Sequence, residues 1–271
     1  MESQYISLIK TLLEKPVSQS RNGPIRRTFG VFMSHDLSKG FPLLTTKRVF
    51  FRGILEELAW FLRGSTNVAE LHAKKVHIWD ANTAPSWDAG PIYGFQWRHF
   101  GADYIDCKTD YSGKGVDQIQ RVINLIKRNP DSRRIFMSAW NPLAQDKMSL
   151  PPCHVSYQFY VNDGKLSCLL TQRSADVFLG LPFNIASTSL LTHLIAHETD
   201  LDVGKVMVSI GNAHIYENHV DACRIQIERK PFPFPSLSVC REKDGLWNLQ
   251  KKDVVLKNYI YHSKIFAPMA A

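Results

Sequence analysis

The chain has 271 residues, of which 44% are hydrophobic and 21% charged, a composition typical of a folded globular protein and unlike that of a disordered one. Its 33 Lys and Arg residues against 25 Asp and Glu residues give a formal net charge of +8, which favours anionic partners such as phosphates, nucleic acid or polyanionic cofactors. The five cysteines show no CxxC spacing, so we expect neither a disulfide framework nor a zinc site, and a cytoplasmic or nuclear location fits best.

Apolar residues at helical spacing predict four helices along the chain. The first lies within residues 1–15, where Lys10 and Glu14 interrupt the apolar period and argue against a signal peptide. The second, in residues 50–64, carries too many charges to cross a bilayer, so no membrane association is expected. The third runs from Val116 to Ile126 and stops before Pro130, and the fourth, "ASTSLLTHLIAHE", is apolar enough to be buried.

Strand patterns occupy the second half of the chain. "RRIFMSAW" is followed by "HVSYQFYV", the turn "NDG" and "KLSCLLTQRS", which together predict a β-hairpin, and "VMVSIGNAHIY" adds a further strand. Helices before and after these strands indicate a single α+β domain over residues 1–271, with a broad, mostly antiparallel or mixed β-sheet flanked by helices. A sheet covered on one side has to hide its other face, and we expect a homodimer to do so.

Cys153 is the first candidate for chemistry. A single cysteine is by default a small buried hydrophobe, but this one follows two prolines that fix the backbone and precedes His154. Nearby cations favour the nucleophilic thiolate, and Arg173, Arg133 and Arg134 lie on segments that could adjoin it. Arg173 stands beside the hydroxyl of Ser174, a combination suited to a phosphate, although a surface arginine is usually just a solvated charge.

Other polar residues have both a structural and a functional interpretation. Asn184 precedes an apolar helical run and is either a helix N-cap or a reader of a pyrimidine edge, because its amide offers an acceptor and two donors. His214 and Tyr216 alternate onto one face of a strand, as a core pair or as two ligand-binding groups. Glu57 lies among apolar residues, where a carboxylate is costly unless solvated, paired or functional.

Taken together, these segments resemble the thymidylate synthase family. The resemblance is carried in order by "FPLLTTKRVF", "LEELAWFLRGSTN", "IWDAN", "GPIYGFQWRHFGADY", "NPDSRRIFMSAWNP", "LPPCHVSYQFYV", "QRSADVFLGLPFNIAS", "GNAHIYENH" and "APMAA", which span almost the whole chain. It implies reductive methylation of deoxyuridine monophosphate (dUMP) to dTMP, with 5,10-methylenetetrahydrofolate as the donor of the one-carbon unit and the hydride and no metal. Cys153 would add to carbon 6 of the uracil ring.

The resemblance also implies the roles of individual residues. Catalytic roles would fall to Cys153, Glu57, Tyr93, His154, Arg173, Asp176 and Asn184. The nucleotide would be bound by Arg21, Arg173, Ser174, Ala175, Asp176, Asn184, His214 and Tyr216, together with Arg133 and Arg134 from the second subunit of a homodimer. The folate would be bound by Lys47, Phe50, Ile78, Trp79, Asp176, Leu179, Gly180, Phe183 and the terminal Ala270 and Ala271.

The chain departs from the family pattern at a few positions. The arginine loop reads "RNGPIRRTFG" and is one residue short, so Arg26 or Arg27 could replace Arg21 at the phosphate. Asn212 stands where an aspartate is usual, Thr188 where a tyrosine is common, and Phe50 where the neighbour of the folate is often polar. We expect these changes to alter the affinity for folate and to leave the chemistry intact.

Two other functions could account for parts of the same sequence. In a pyrimidine hydroxymethylase, water would replace the hydride, but Asn184 suits uracil better than cytosine, whose edge reverses the donor and the acceptor. A basic nucleic-acid-binding protein would also account for the net charge of +8. The sequence shows no clustered basic stripe, so we expect the cations to serve anionic small molecules and not nucleic acid.

Overall fold

A computed structural model describes residues 1–269; Ala270 and Ala271 lie outside the described residues. Its helices are α1 (Glu2–Leu13), α2 (Phe51–Leu62), α3 (Ala69–Ala73), α4 (Asp80–Thr83), α5 (Tyr93–His99), α6 (Gln118–Arg128), α7 (Gly180–Glu198) and α8 (Val220–Ile227). Its strands are β1 (Val17–Ser20), β2 (Gly23–Asp36), β3 (Phe136–Ser138), β4 (His154–Asn162), β5 (Lys165–Asp176), β6 (Asp202–Tyr216), β7 (Ser236–Val239) and β8 (Val254–Lys257).

The main sheet has six strands in the order β1-β2-β6-β5-β4-β3 within the described residues. Strands β5 and β6 are parallel, and the other neighbouring pairs are antiparallel. The predicted mixed sheet is therefore confirmed. The predicted hairpin is confirmed as well: β4 and β5 pair around a turn in which Asp163 and Gly164 both have positive φ, the conformation that asparagine, aspartate and glycine tolerate best.

Helix α7 connects the two parallel strands and packs against both. Its sequence is apolar on nearly every side, and most of its residues are buried, as the sequence predicts. Two of its buried hydroxyls find partners inside the helix: Ser189 and Thr192 donate to the carbonyl oxygens four residues earlier, at 2.7 and 2.8 Å. The helix can therefore carry polar side chains through the core without leaving those hydroxyls unpaired.

The opposite face of the sheet is less covered. Even-numbered residues of β5 from Leu166 to Gln172 are buried, whereas Leu169 and Thr171 between them are half-buried. Strand β6 repeats the pattern, with Val206 and Val208 buried and Met207 half-buried. Large apolar side chains of the sheet are also exposed: Phe29, Phe32, Phe136 and Tyr160. An apolar sheet face of this kind is typical of an interface.

The sequence-based prediction missed some elements. Strand β2 is 14 residues long, yet its two glycines and two arginines conceal the alternation that identifies a strand. Helix α6 begins at Gln118, after the N-cap Asp117, because the predicted first residue, Val116, pairs with the backbone of Phe100. In residues 1–269, no helix combines the length and the apolar character needed to span a bilayer.

Candidate active site

A cavity of about 560 Å³ opens where β5 and β6 end beside the turn between β1 and β2. Because β5 and β6 are parallel, Ser174 lies opposite Asn212 and Asp176 opposite His214. The carboxyl ends of both strands therefore lie at one edge of the sheet, which is where loops and strand ends commonly form binding sites. The cavity is lined by Ser20, Arg21, Asn22, Ile25, Arg27, Trp140, Gln145, Leu150, Pro151, Arg173, Ser174, Asn212, His214 and Tyr216.

Cys153 lies next to this cavity, immediately before β4. Its amide donates to the hydroxyl of Tyr93 at 2.7 Å, and its carbonyl accepts from the amide of Arg173 at 3.0 Å. The guanidinium of Arg173 donates to the carbonyls of Pro151 and Pro152, at 2.8 and 2.9 Å. The two prolines, which lack an amide donor, thus offer carbonyls that fix the arginine beside the thiol.

The charge of Arg173 favours the Cys153 thiolate, as expected, but burial has the larger effect on the pKa of the thiol in the ligand-free site. Burial raises the pKa of the thiol, and the charge of Arg173 only partly opposes that effect. Arg133 and Arg134 give no help within the chain, because both are exposed and neither is among the residues that line the cavity. The resting cysteine therefore keeps its proton more firmly than a free one does.

Glu57, on α2, accepts a hydrogen bond from the indole N–H of Trp79 at 2.8 Å. Burial raises the pKa of this carboxyl to about 7, because a charge is costly away from water and the indole supplies only one donor. Its neighbour Glu56 points elsewhere and pairs with Lys74 at 2.6 Å. A carboxyl with a pKa near neutrality can both accept and release a proton, which general acid–base catalysis requires.

His154 is buried beside two tyrosines. Its Nδ1 is 2.9 Å from the hydroxyl of Tyr157, and its ring is 5.4 Å from that of Tyr93. Burial lowers the pKa of His154 to about 4, so the imidazole is neutral at neutral pH. Burial also raises the pKa of Tyr93 well above its usual value, so this hydroxyl is protonated. Both residues thus act as neutral hydrogen-bonding groups.

Asn184 is not a helix N-cap. Helix α7 begins at Gly180, after the N-cap Leu179, which places Asn184 inside the helix. Its Oδ1 accepts from Nε2 of Gln172 at 2.9 Å. Gln172 is a site residue that the sequence analysis missed; its place two residues before Ser174, in a strand where alternate residues share a face, is the signal that could have identified it.

His214 and Tyr216 lie together, with ring centroids 5.3 Å apart. Nδ1 of His214 is 3.1 Å from Oδ1 of Asn212, the position where the sequence departs from the usual aspartate. Burial lowers the pKa of His214, so its ring is a neutral donor or acceptor. Both residues line the cavity and are thus available to a ligand.

The three arginines of the arginine loop, Arg21, Arg26 and Arg27, have different surroundings. Arg26 donates to Glu217 at 2.7 Å and to the carbonyl of Leu13 at 2.7 Å, so its guanidinium is already used within the fold. Arg27 and Arg21 instead line the cavity, and Arg21 donates to Oδ1 of Asn22 at 2.9 Å. Together with Arg173 they give the cavity a strongly cationic wall suited to a phosphate.

Asp176 marks the boundary between the cavity and α7. Its Oδ1 accepts from the amides of Phe178 and Leu179, at 3.0 and 3.2 Å. Nδ1 of His219 is 3.8 Å from the same oxygen, and the other ring nitrogen of His219 is 2.7 Å from the carbonyl of Pro268. The sequence analysis assigned no role to His219, although it links the residues around Asp176 to the C-terminal segment.

The residues expected at the folate differ in accessibility. Ile78, Leu179, Gly180 and Phe183 are half-buried, Trp79 is buried, and Phe50 is exposed with the guanidinium of Arg52 5.0 Å from its ring. Apolar and aromatic side chains are the usual lining of a site for a flat ring. Ala270 and Ala271, expected to close over the folate, lie outside the described residues.

Lys47, the remaining residue expected at the folate, is buried and already paired within the fold. Its ammonium donates to the carbonyl of Phe178, and its nitrogen lies 3.4 Å from the centre of the Phe178 ring. Burial lowers its pKa to about 8, against the opposing charge of Asp176. To contact a glutamate tail, Lys47 would have to leave this position.

Comparison with known proteins agrees with this geometry. The family described as thymidylate synthase matches residues 3–271. The chain is 51% identical to the thymidylate synthase of Herpesvirus ateles, over 99% of this chain and 98% of that protein. It is 49% identical to the thymidylate synthase of Homo sapiens, over 99% of this chain and 90% of that protein. The same identity to the bifunctional dihydrofolate reductase-thymidylate synthase of Paramecium tetraurelia covers 61% of that protein. The chain therefore belongs to the thymidylate synthase family.

Proposed function

We propose that this chain, as one catalytic domain over residues 1–271, converts dUMP to dTMP by reductive methylation with 5,10-methylenetetrahydrofolate, through a covalent bond between Cys153 and the nucleotide. The observation that carries the proposal is the position of Cys153 between Tyr93 and Arg173, at the edge of a cationic cavity large enough for a nucleotide. The match to the family over residues 3–271 gives the reaction class.

The phosphate of dUMP fits the cationic wall of the cavity. Arg21, Arg173 and Ser174 take the phosphate in our proposal, and Arg27 is added because it lines the same wall. A phosphate dianion accepts several charge-assisted hydrogen bonds, which arginine supplies in a planar, bidentate form. The phosphate also offers Arg173 stronger acceptors than the proline carbonyls that it contacts in the ligand-free site.

The uracil and the deoxyribose fit the other polar groups. Asn184, held by Gln172, presents its amide to the uracil edge, where an acceptor and a donor complement the ring N–H and the keto oxygen. His214 and Tyr216 bind the deoxyribose hydroxyl as a neutral pair. Ala175 lies between Ser174 and Asp176 on β5 and contributes its backbone to the same strand end.

The pKa shifts at the proposed catalytic groups indicate how the protons move. Because burial raises the pKa of Cys153, the thiol loses its proton only as its sulfur attacks carbon 6 of the bound uracil. Glu57, with a pKa of about 7, and the hydroxyl of Tyr93 handle the protons that leave and return, and neutral His154 holds its neighbours in place. The bound folate supplies the methylene group and the hydride. Asp176, Trp79, Leu179 and Phe183 orient it against the nucleotide and exclude water.

A homodimer completes the site in our proposal. The half-covered face of the sheet offers Leu169, Met207, Phe32 and Tyr160 to a second copy. Arg133 and Arg134 are exposed and outside their own cavity, so they are free to reach the phosphate in the partner's cavity. All five cysteines are free thiols, which agrees with a cytoplasmic or nuclear location.

The test follows the formation of dihydrofolate spectrophotometrically from dUMP and methylenetetrahydrofolate, and identifies the nucleotide product by mass. We expect dTMP and dihydrofolate in equal amounts. A hydroxymethylated nucleotide without dihydrofolate would show that water, not hydride, completes the reaction.

The role of Cys153 has its own prediction. Cys153→Ser should lower turnover by at least about 10⁴-fold, because an alcohol of high pKa replaces the nucleophile, while dUMP still binds through its phosphate and base. Turnover is measured by the dihydrofolate assay, and dUMP binding by calorimetry. Cys240→Ser, at an exposed cysteine outside the cavity, is the matched control and should keep wild-type turnover. Retained turnover in Cys153→Ser would exclude it as the nucleophile.

A further inference from the structure

A cluster of metal-binding side chains lies outside the proposed active site. His72 is at the end of α3, His77 follows in the connecting turn, and Asp80 begins α4. One ligand atom from each of the three lies within 4.8 Å of the other two. Neither the family match nor the proposed reaction gives these residues a role, and the sequence analysis did not select them.

The spacing of the three donors suits a small divalent cation. Nε2 of His72 is 3.5 Å from Oδ2 of Asp80, and Nδ1 of His77 is 2.9 Å from the same oxygen. Two donors about 2.1 Å from a tetrahedral zinc ion lie about 3.4 Å apart. The distance between His72 and Asp80 already fits this value. The distance between His77 and Asp80 has to lengthen slightly when the ion replaces their hydrogen bond.

The backbone holds the donors in place. The amide of Lys75 donates to the carbonyl of His72 at 2.8 Å, and the amide of Val76 donates to the carbonyl of Leu71 at 3.0 Å. Arg52, on α2, contributes 2.5 and 3.2 Å hydrogen bonds to the carbonyls of Lys74 and Lys75. The turn is thus fixed before any ion arrives, which lowers the entropic cost of bringing the ligands together.

The carboxylate of Asp80 also lacks partners on one side. Its Oδ1 is buried and has no hydrogen-bond partner among the described residues, so part of its negative charge is uncompensated. The two imidazoles are accessible, with 48% of the His72 side chain and 55% of the His77 side chain exposed. An ion can therefore enter from solvent and keep water in its remaining coordination positions.

We propose that His72, His77 and Asp80 form a binding site for one divalent transition-metal ion of the zinc class. Two imidazoles and one carboxylate form a donor set that binds zinc, and less selectively cobalt or nickel, in preference to magnesium or calcium. His77 and Asp80 flank Ile78 and Trp79, so a bound ion clamps the segment that carries the proposed folate wall.

The experiment uses the full-length protein after treatment with a chelator. Zn²⁺ is titrated by calorimetry into the wild type, His72→Gln, His77→Gln and His262→Gln, the last being a histidine of the C-terminal segment that contacts the carbonyl of Lys230. We expect about one ion per chain in the wild type and His262→Gln, and affinity at least about tenfold weaker in His72→Gln and in His77→Gln. Equal affinity in all four proteins, or no saturable binding, would overturn the proposal.

The absorption spectrum of bound Co²⁺ distinguishes binding at this site from binding at the cysteines. Co²⁺ bound to nitrogen and oxygen ligands shows only weak d–d absorption, whereas thiolate ligands add an intense charge-transfer band. We expect the wild type to show the d–d bands alone. A charge-transfer band that disappears in Cys240→Ser or in Cys153→Ser would show that the ion binds a cysteine instead and would overturn the proposal. A rise in Tm on addition of Zn²⁺ to the wild type, absent from His72→Gln and His77→Gln, provides a further readout that is independent of catalysis.

Discussion

At the scale of single residues, burial favours the neutral form at three of the proposed catalytic groups, Cys153, His154 and Glu57. At Cys153 the loss of hydration outweighs the neighbouring Arg173, and at His154 and Glu57 burial favours the neutral form. In the ligand-free site burial therefore favours the neutral forms of the thiol, the imidazole and the carboxyl, and Arg173 is the cation held beside Cys153. The cations of the site lie at the phosphate wall, where the substrate brings the compensating charge.

Glu57 should make stability depend on pH. The pKa of the carboxyl is about 7 in the folded chain and about 4.3 when unfolded, so between these values only the folded chain keeps the proton. The contribution of Glu57 to the free energy of unfolding is present at low pH and is lost as the pH rises from about 4 to about 7. Glu57→Gln, which stays neutral, should flatten this part of the profile in urea unfolding at pH 5 and pH 8.

Glu56→Gln is the control for that measurement, because Glu56 is on the same helix but pairs with Lys74. It should keep the wild-type loss of stability between the two pH values. If Glu57→Gln kept the same loss, the raised pKa of Glu57 would be refuted.

Asn184 should determine which base is accepted. Asn184→Asp replaces an amide donor by an acceptor at the edge where cytosine carries an amino group, so the ratio of kcat/KM for dCMP to that for dUMP should rise by at least about tenfold. Asn212→Asp places a carboxylate beside His214 at the wall of the cavity and is the matched control. An equal change in both variants would point to a general charge effect instead of base reading.

At the scale of elements, Asp117 defines the start of α6. Its side chain accepts from the amide of Gln120 at 3.0 Å and pairs with Arg98 at 2.9 Å. Asp117→Ala should lower the free energy of unfolding by about 1 kcal/mol, the usual cost of losing an N-cap. Asp221→Ala, at an exposed aspartate near the start of α8, should cost less than half as much. Equal urea midpoints for the two variants would show that the cap contributes nothing.

The long, periodic elements could be predicted from the sequence, and the elements fixed by tertiary contacts could not. Helices α1, α2 and α7 and the β4–β5 hairpin follow from apolar spacing and one turn motif. Strand β2 owes its extended form to its pairing with β6, which no local pattern reveals. Arg21, Arg173, Ser174, His214 and Tyr216 lie together around one cavity, as expected. Gln172 and His219, which no local pattern selected, join the site through contacts between distant segments.

At the scale of the whole molecule, the proposed site needs two chains. A mixture of Arg133→Ala and Cys153→Ala, each inactive alone, should recover up to about one quarter of wild-type activity if chains pair at random, because one site of each mixed dimer has both residues. A mixture of Arg173→Ala and Cys153→Ala is the control and should recover none, since both residues belong to one chain's cavity. Recovery is measured by the dihydrofolate assay, and its absence from the first mixture would contradict the shared site.

The contact between Trp79 and Glu57 also gives the protein an internal optical signal. The indole N–H donates to a carboxyl whose pKa is about 7, so the electric field at the indole changes when that carboxyl ionises near neutral pH. Tryptophan emission responds to such fields. With the other tryptophans replaced by phenylalanine, fluorescence would follow the protonation of Glu57 during a single turnover, without an attached dye.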